Sequence, residues 1–118
     1  MIRNLSDKEY KELADAAEGQ TLEAILFYAI PDDKPAGFSF EDRKEIFLWS
    51  LDKLLSDGRL KLAKHGQLLQ GSTEQQVDLF RKALPKSEKE INDGLWFFDE
   101  DCPGGAVWVL SDGSLQWS

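Results

Sequence analysis

Residues 95–117 read LWFFDEDCPGGAVWVLSDGSLQW, and this stretch decides the fold of the C-terminal third. Aromatic and β-branched residues favour strands, so the segments 95–98, 106–110 and 115–117 predict three short β-strands. The Asp112-Gly113 pair between the last two segments is typical of a tight hairpin turn, because both residue types tolerate a left-handed backbone. The stretch therefore predicts a small antiparallel sheet that ends in a hairpin.

The chain before this stretch has the features of helices. Apolar residues recur with helical spacing behind serine or threonine N-caps, and Ser6 with Glu9 and Ser87 with Glu90 form capping boxes. The predicted helices follow Ser6, Thr21, Ser39, Ser72 or Thr73, and Ser87. Residues 59–62 alternate polar and apolar and predict one further strand, with residues 68–69 returning beside it. We expect a single α+β domain over residues 1–118, with about four or five helices followed by a small antiparallel β-sheet with a C-terminal hairpin.

Charge is distributed unevenly along the chain. The 118 residues include 22 acids and 14 bases, which gives a net charge of −8. Residues 1–84 hold 15 acids and 12 bases, a net of −3, whereas residues 85–118 hold 7 acids and 2 bases, a net of −5. An acidic surface repels nucleic-acid phosphates and anionic lipids and attracts cationic proteins. The composition therefore predicts a protein partner, and neither nucleic acid nor membrane.

The cysteine content and the apolar runs indicate the compartment. Cys102 is the only cysteine, so no intramolecular disulfide can form, as is usual in a reducing cytoplasm. The longest apolar run, residues 24–30, is much shorter than the roughly 18 residues that a membrane span requires. Residues 1–7 lack the apolar core of a secretory signal. We expect a cytoplasmic protein.

No set of residues in the sequence predicts catalysis, a metal site or a cofactor. Residues 99–101 begin like a calcium loop, but Leu110 occupies the twelfth position, where a bidentate Glu is needed. Cys102 and His65 are the only thiol–imidazole pair, and they are too few ligands for zinc. The acids before Cys102 are expected to raise its pKa, which is the opposite of what a nucleophile requires, and His65 is expected in a solvated turn. We expect no enzyme activity.

The acidic run and the aromatic residues around it are typical of a protein-binding surface. Clustered carboxylates attract a cationic partner, and aromatic side chains act as rigid anchors. The candidate partner-binding residues are Asp99, Glu100, Asp101, Glu88, Glu90 and Asp93 for charge, with Trp96 or Trp108 as the anchor. For each tryptophan, burial beneath the helices is the alternative. A winged-helix DNA-binding layout is the competing interpretation, but residues 106–117 contain no Lys or Arg to contact phosphates.

A set of aromatic, glycine and proline positions also resembles a protein family. These positions are Trp49, residues 58–62, Gly71, Glu74-Gln75, Trp96-Phe97, residues 103–108, Asp112-Gly113 and Trp117. Over residues 40–118 the chain resembles small acidic bacterial proteins encoded near secreted polymorphic toxins, some of which look like immunity proteins of contact-dependent growth inhibition systems. The resemblance implies a cytoplasmic protein that binds one cognate toxin domain, in many cases a cationic nuclease, and covers its active site or substrate-binding surface.

Two functions follow from these observations. The first is an immunity protein that inhibits the C-terminal domain of its cognate toxin stoichiometrically and is a monomer when free. The second is a cytoplasmic adaptor or structural protein that associates with itself through its aromatic sheet. A small hydrolase that uses Cys102 and His65 is the residual alternative.

Overall fold

The first helices begin where the serine caps predict. The computed structural model describes residues 4–118; residues 1–3, which belong to the segment tested above for a secretory signal, lie outside the described residues. The Ser6, Ser39 and Ser72 hydroxyls each accept a hydrogen bond from the backbone three residues later, and the side chain there bonds back to the cap. Within residues 4–118 the α-helices are α1 (Asp7–Ala17), α2 (Leu22–Phe27), α3 (Phe40–Ser56), α4 (Thr73–Ala83) and α5 (Glu88–Ile91).

In the part of the chain that the structure describes, four short strands form one antiparallel sheet in the spatial order β2-β1-β3-β4. The strands are β1 (Leu60–Lys64), β2 (Gln67–Leu68), β3 (Gly105–Val109) and β4 (Leu115–Trp117). At the hairpin between β3 and β4, the Asp112 carboxylate accepts a hydrogen bond from the backbone N–H of Ser114, 2.9 Å away. The predicted α+β fold, with its C-terminal hairpin, is confirmed.

The hydrophobic core lies between the helices and one face of the sheet. Helix α3 runs through it, and the Phe47 ring contacts Phe80 of α4 and Phe97. From the sheet, Trp108 is completely buried, and its indole Nε1 donates a hydrogen bond to the carbonyl oxygen of Gln20 at 2.8 Å. No helix in the described part of the chain is long and apolar enough to cross a membrane.

The prediction of a strand at residues 95–98 is wrong. A 3₁₀ helix, Asn92–Phe98, occupies this region, and Asn92, Asp93 and Gly94 all have positive φ angles where the chain bends after α5. Trp96 and Phe97 are both buried, whereas the residues before and after them are exposed. A strand sends consecutive side chains to opposite faces, whereas the 3₁₀ turn places these two adjacent rings in the same core cluster.

The second predicted capping box forms only in part. The Ser87 hydroxyl accepts a hydrogen bond from the Glu90 backbone N–H, as expected for the N-cap of α5. The Glu90 carboxylate, however, accepts from the Ser87 hydroxyl at 3.2 Å and not from the Ser87 backbone. Because α5 is only one turn long, its position depends on the packing of Ile91 in the core more than on its caps.

Candidate protein-binding surface

The acidic residues 99–101 form a turn between the 3₁₀ helix and β3. The backbone closes it, because the Asp99 N–H donates to the Trp96 carbonyl and the Cys102 N–H donates to the Asp99 carbonyl, each at 3.0 Å. Lys64, at the end of β1, fastens the turn to the sheet: its ammonium donates to the carbonyl oxygen of Cys102 at 2.9 Å and to that of Glu100. The turn is thus ordered by backbone contacts, which leave its side chains at the surface.

Glu100 differs from the two aspartates beside it. Its carboxylate Oε1 lies 2.9 Å from His65 Nε2 and 3.7 Å from Lys64 Nζ. The hydrogen bond from His65, then the charges of His65 and Lys64, lower the pKa of Glu100. His65 itself is exposed in a turn, as expected. Glu100 therefore has one cationic neighbour, Lys64, and one hydrogen-bonding imidazole, His65, so its charge is partly compensated before any partner arrives.

Four of the eight candidate residues line one groove of about 550 Å³. We call it the acidic groove, and its lining residues are Ala83, Pro85, Glu90, Trp96, Asp99 and Asp101. No ion pair connects its three carboxylates to a Lys, Arg or His within residues 4–118. Among the described residues, the groove therefore presents three carboxylates without an ion-pair partner beside Trp96.

Glu88 and Asp93 lie on a second groove, of about 360 Å³, between α2, α3 and α5. Its base is Arg43, whose guanidinium donates to the carbonyls at the end of α2 and lies 3.6 Å from a Glu88 carboxylate oxygen. Helix α5 and the bend after it thus separate this groove from the acidic groove. The six candidate acids therefore do not form one patch. Glu90, Asp99 and Asp101 line the acidic groove, Glu88 and Asp93 line the second groove, and Glu100 lines neither.

The expectation that Trp96 or Trp108 is an exposed anchor is wrong. Trp108 is sealed in the core, and Trp96 is 8% exposed, with its ring packed edge-on against Phe97 at 5.1 Å between centroids. The large apolar side chains at the surface here are Leu95 and Phe98, which are 60% and 64% exposed. Residues three apart in a 3₁₀ helix lie above one another, so these two side chains form one apolar row beside the acidic turn.

The sequence held no signal for this row, because residues 95–98 are apolar at every position and show no periodicity. The sequence interpretation assigned a strand, because the aromatic content of the segment favours one. The contacts of Lys64 and His65 with Glu100 had no comparable signal, since they join residues about 35 positions apart that only the fold brings together.

The lone thiol is a structural group in this arrangement. Cys102 is buried, and its Sγ donates to the Gly104 carbonyl at 3.3 Å. Burial is the main cause that raises the pKa of Cys102, and the charge of Asp99 contributes less. The predicted direction agrees, but the predicted cause, the neighbouring acids, is secondary. Among the described residues, no cluster of three or more His, Cys, Asp and Glu side chains is placed to hold a metal ion.

The comparisons with known proteins support the fold. The model of the family "Protein of unknown function, DUF596" matches residues 55–118, which include the sheet and the acidic turn. Among solved structures, the chain is similar to an "Uncharacterized Protein Conserved in Bacteria" from Neisseria meningitidis. The two are 28% identical, with a TM-score of 0.71 over 93% of this chain and 90% of that chain. No curated protein matches the chain.

Proposed function

The chain belongs to the DUF596 family, and we propose that it is an immunity protein, one that binds a cationic toxin domain in the cytoplasm and neutralises it stoichiometrically. The toxin domain in this proposal is a nuclease. The acidic groove is the observation that carries the proposal, because Glu90, Asp99 and Asp101 direct uncompensated charge to one concave surface. A nuclease needs a basic surface to hold phosphates, and clustered carboxylates are the complement of such a surface.

The apolar row beside the groove supplies the second part of a binding surface. Charges at the rim of an interface accelerate association, whereas large apolar side chains near its centre set the dissociation rate. Leu95 and Phe98 are exposed and stand next to Asp99 in the chain. In the proposed complex these two residues replace Trp96 and Trp108 as anchors, and Trp96 only lines the acidic groove.

The fixed backbone of the acidic turn favours this function over that of a merely solvated surface. Lys64 holds the carbonyls of Glu100 and Cys102, so the turn does not have to be ordered when a partner binds. Ordering a flexible segment on binding lowers affinity, and a surface that is ordered beforehand avoids that cost. Asp99 and Asp101 are thus preset for Lys or Arg side chains of the toxin.

The test uses the C-terminal domain of the protein encoded by the gene upstream, as a purified probe. We expect a one-to-one complex by calorimetry and loss of the domain's nuclease activity at equimolar ratio. Asp101→Lys should slow association by about tenfold at low salt and flatten its salt dependence. Glu74→Lys, which makes the same charge change on α4, is the control, and Glu100→Gln should have a small effect because Glu100 is already paired.

The anchors are tested on the same complex by its dissociation rate. Phe98→Ala should speed dissociation by about thirtyfold, equivalent to about 2 kcal/mol, and Leu95→Ala by a smaller factor. Leu79→Ala, an exposed leucine of α4, is the matched control. The proposal is abandoned when the upstream protein has no basic C-terminal domain, when that domain does not bind, or when Asp101→Lys and Glu74→Lys bind alike.

A second candidate function is a cytoplasmic adaptor or structural protein that associates with itself through the sheet. The exposed side chains of Leu68, Leu115 and Trp117 favour it, because all three are large apolar residues on strands. An adaptor of this kind would keep its activity in the Asp101→Lys variant, whereas the proposed inhibitor would lose much of its association rate.

A further inference from the structure

The second groove, between α2, α3 and α5, combines apolar side chains with charged groups of both signs. Its volume is about 360 Å³, near the lower end of the roughly 300–1,000 Å³ that small-molecule sites occupy. Its apolar wall consists of Leu26, Phe27, Phe40 and Ile91. A small number of charged groups beside such a wall is typical of a site that binds and orients a small ligand.

Arg43 supplies the positive charge of this groove. Its Nε donates to the Leu26 carbonyl at 2.8 Å, and its Nη2 donates to the Phe27 carbonyl at 3.0 Å. Glu88 lies 3.6 Å from Nη1, which is too long for a hydrogen bond. Among the described residues, Nη1 and the second N–H of Nη2 therefore have no acceptor. These two adjacent nitrogens match the two oxygens of a carboxylate.

Glu23 supplies a partly buried negative charge in the same groove. Its carboxyl group lies against the backbone of Gly94, where any side chain would collide with it. Glu23 makes no hydrogen bond or ion pair with the described residues, and neither does Asp93, which precedes Gly94. A carboxylate that is withdrawn from water without a donor costs free energy, and an ammonium group of a ligand would remove that cost.

The backbone beside these carboxylates is strained. Asn92, Asp93 and Gly94 have consecutive positive φ angles of 54°, 55° and 93°. Left-handed conformations are unfavourable for residues other than glycine, and they are concentrated at ligand-binding sites and active sites. This bend places both Asp93 and Gly94 on the wall of the second groove.

We propose that the second groove binds a free α-amino acid with an apolar side chain. The ligand carboxylate pairs with Arg43, its ammonium pairs with Glu23 and Asp93, and its side chain packs on the apolar wall. The carboxylates of the groove repel a simple anion and Arg43 repels a simple cation, so a ligand with both charges is the best complement. The inference does not rest on the proposed function, because other residues form the acidic groove.

Isothermal titration calorimetry of the full chain with L-leucine, L-methionine and L-phenylalanine tests the proposal. We expect one-to-one binding of at least one of them, with a dissociation constant between about 10 µM and 1 mM, since each has only about ten non-hydrogen atoms. Two analogues of the tightest ligand then test each charge on the unaltered chain. The deaminated acid lacks the ammonium and the decarboxylated amine lacks the carboxylate, and each should bind at least about tenfold more weakly.

Two variants test whether the ligand occupies this groove. Glu23→Gln and Asp93→Asn each remove one charge with little change of shape, and each should weaken binding by about tenfold. Asparagine tolerates the left-handed backbone at position 93. Glu74→Gln is the matched control, because Glu74 is the second residue of α4 as Glu23 is of α2, and it should leave binding unchanged.

Circular dichroism shows whether each variant is folded, and the two analogues decide the question where a variant is not. Failure of all three amino acids to bind below about 10 mM overturns the proposal. An acid or an amine that binds as tightly as the parent amino acid does so too, because the groove would then recognise only one charge. Equal binding by the Glu23→Gln, Asp93→Asn and Glu74→Gln variants would place the ligand elsewhere and equally refute the inference.

Discussion

Replacing Lys64 by methionine is expected to loosen the acidic turn and to lower the stability of the fold. The Lys64 ammonium donates to the carbonyls of Glu100 and Cys102 and lies 3.7 Å from the Glu100 carboxylate. Methionine keeps most of the aliphatic stem and removes all three interactions. Lys61→Met is the control from the same strand, because the Lys61 side chain is exposed and makes no hydrogen bond or ion pair to other described residues.

The magnitude follows from the number and exposure of these bonds. A hydrogen bond from a charged donor contributes about 1.5–3 kcal/mol, and water replaces part of it when the donor is accessible. The Lys64 side chain is 28% exposed, so we expect about 2 kcal/mol for the whole set of contacts. The free energy of unfolding in urea should fall by that amount. The Cys102 amide, which closes the turn by donating to the Asp99 carbonyl, should exchange with solvent about thirtyfold faster.

The Lys61→Met control and the exchange rate of the Cys102 amide can each refute this expectation. Lys61→Met should change the unfolding free energy by less than about 0.5 kcal/mol, as is usual for surface positions. Amides at the start of α4 that exchange when the helix end frays should keep their hydrogen-exchange rates in both variants, because this fraying does not open the acidic turn. Equal stabilities of the two variants, or an unchanged exchange rate for the Cys102 amide, would show that the Lys64 contacts do not hold the turn.

Three further predictions concern single residues. His65→Ala should raise the pKa of Glu100 toward the value of an ordinary glutamate, as measured by NMR titration of its carboxyl group. Folding lowers the pKa of Glu100, so the pair stabilises the fold at pH values above the pKa of an ordinary glutamate. This stabilisation is lost as the pH falls through the lowered pKa of the folded chain. Cys102 should react with a thiol reagent at pH about 8 only as fast as the chain opens, because burial raises the pKa of its thiol; rapid labelling of the native chain would contradict this. Gly94→Ala should cost about 1–2 kcal/mol in urea unfolding, because φ is +93° there and the new Cβ would meet the Glu23 carboxyl group; an unchanged midpoint would refute it.

The parts of the fold predicted correctly are those that depend on neighbouring residues. An N-cap acts within three residues, so Ser6, Ser39 and Ser72 identify the starts of three helices without knowledge of the rest of the chain. The hairpin at Asp112 is equally local. The acidic character of the last third is a matter of composition, and it too could be read from the chain directly.

The parts of the candidate site predicted wrongly depend on burial. Aromatic residues are both good strand formers and good core residues, so their presence in residues 95–98 did not reveal which property decides their position. The core next to α3 required two adjacent rings, Trp96 and Phe97, and the chain adopted a 3₁₀ turn to supply both. The neighbours, Leu95 and Phe98, were thereby turned to the surface.

The sequence by itself determined where helices start, where the hairpin turns and how much negative charge the chain carries, because these properties depend on residue types a few positions apart. Only the tertiary structure decided which acids have an ion-pair partner, which tryptophans are buried and which apolar side chains are turned to the surface. Those outcomes depend on contacts such as Lys64 with Glu100 and Trp108 with Gln20, between residues 36 and 88 positions apart. Such contacts form only when the whole chain has found a common core.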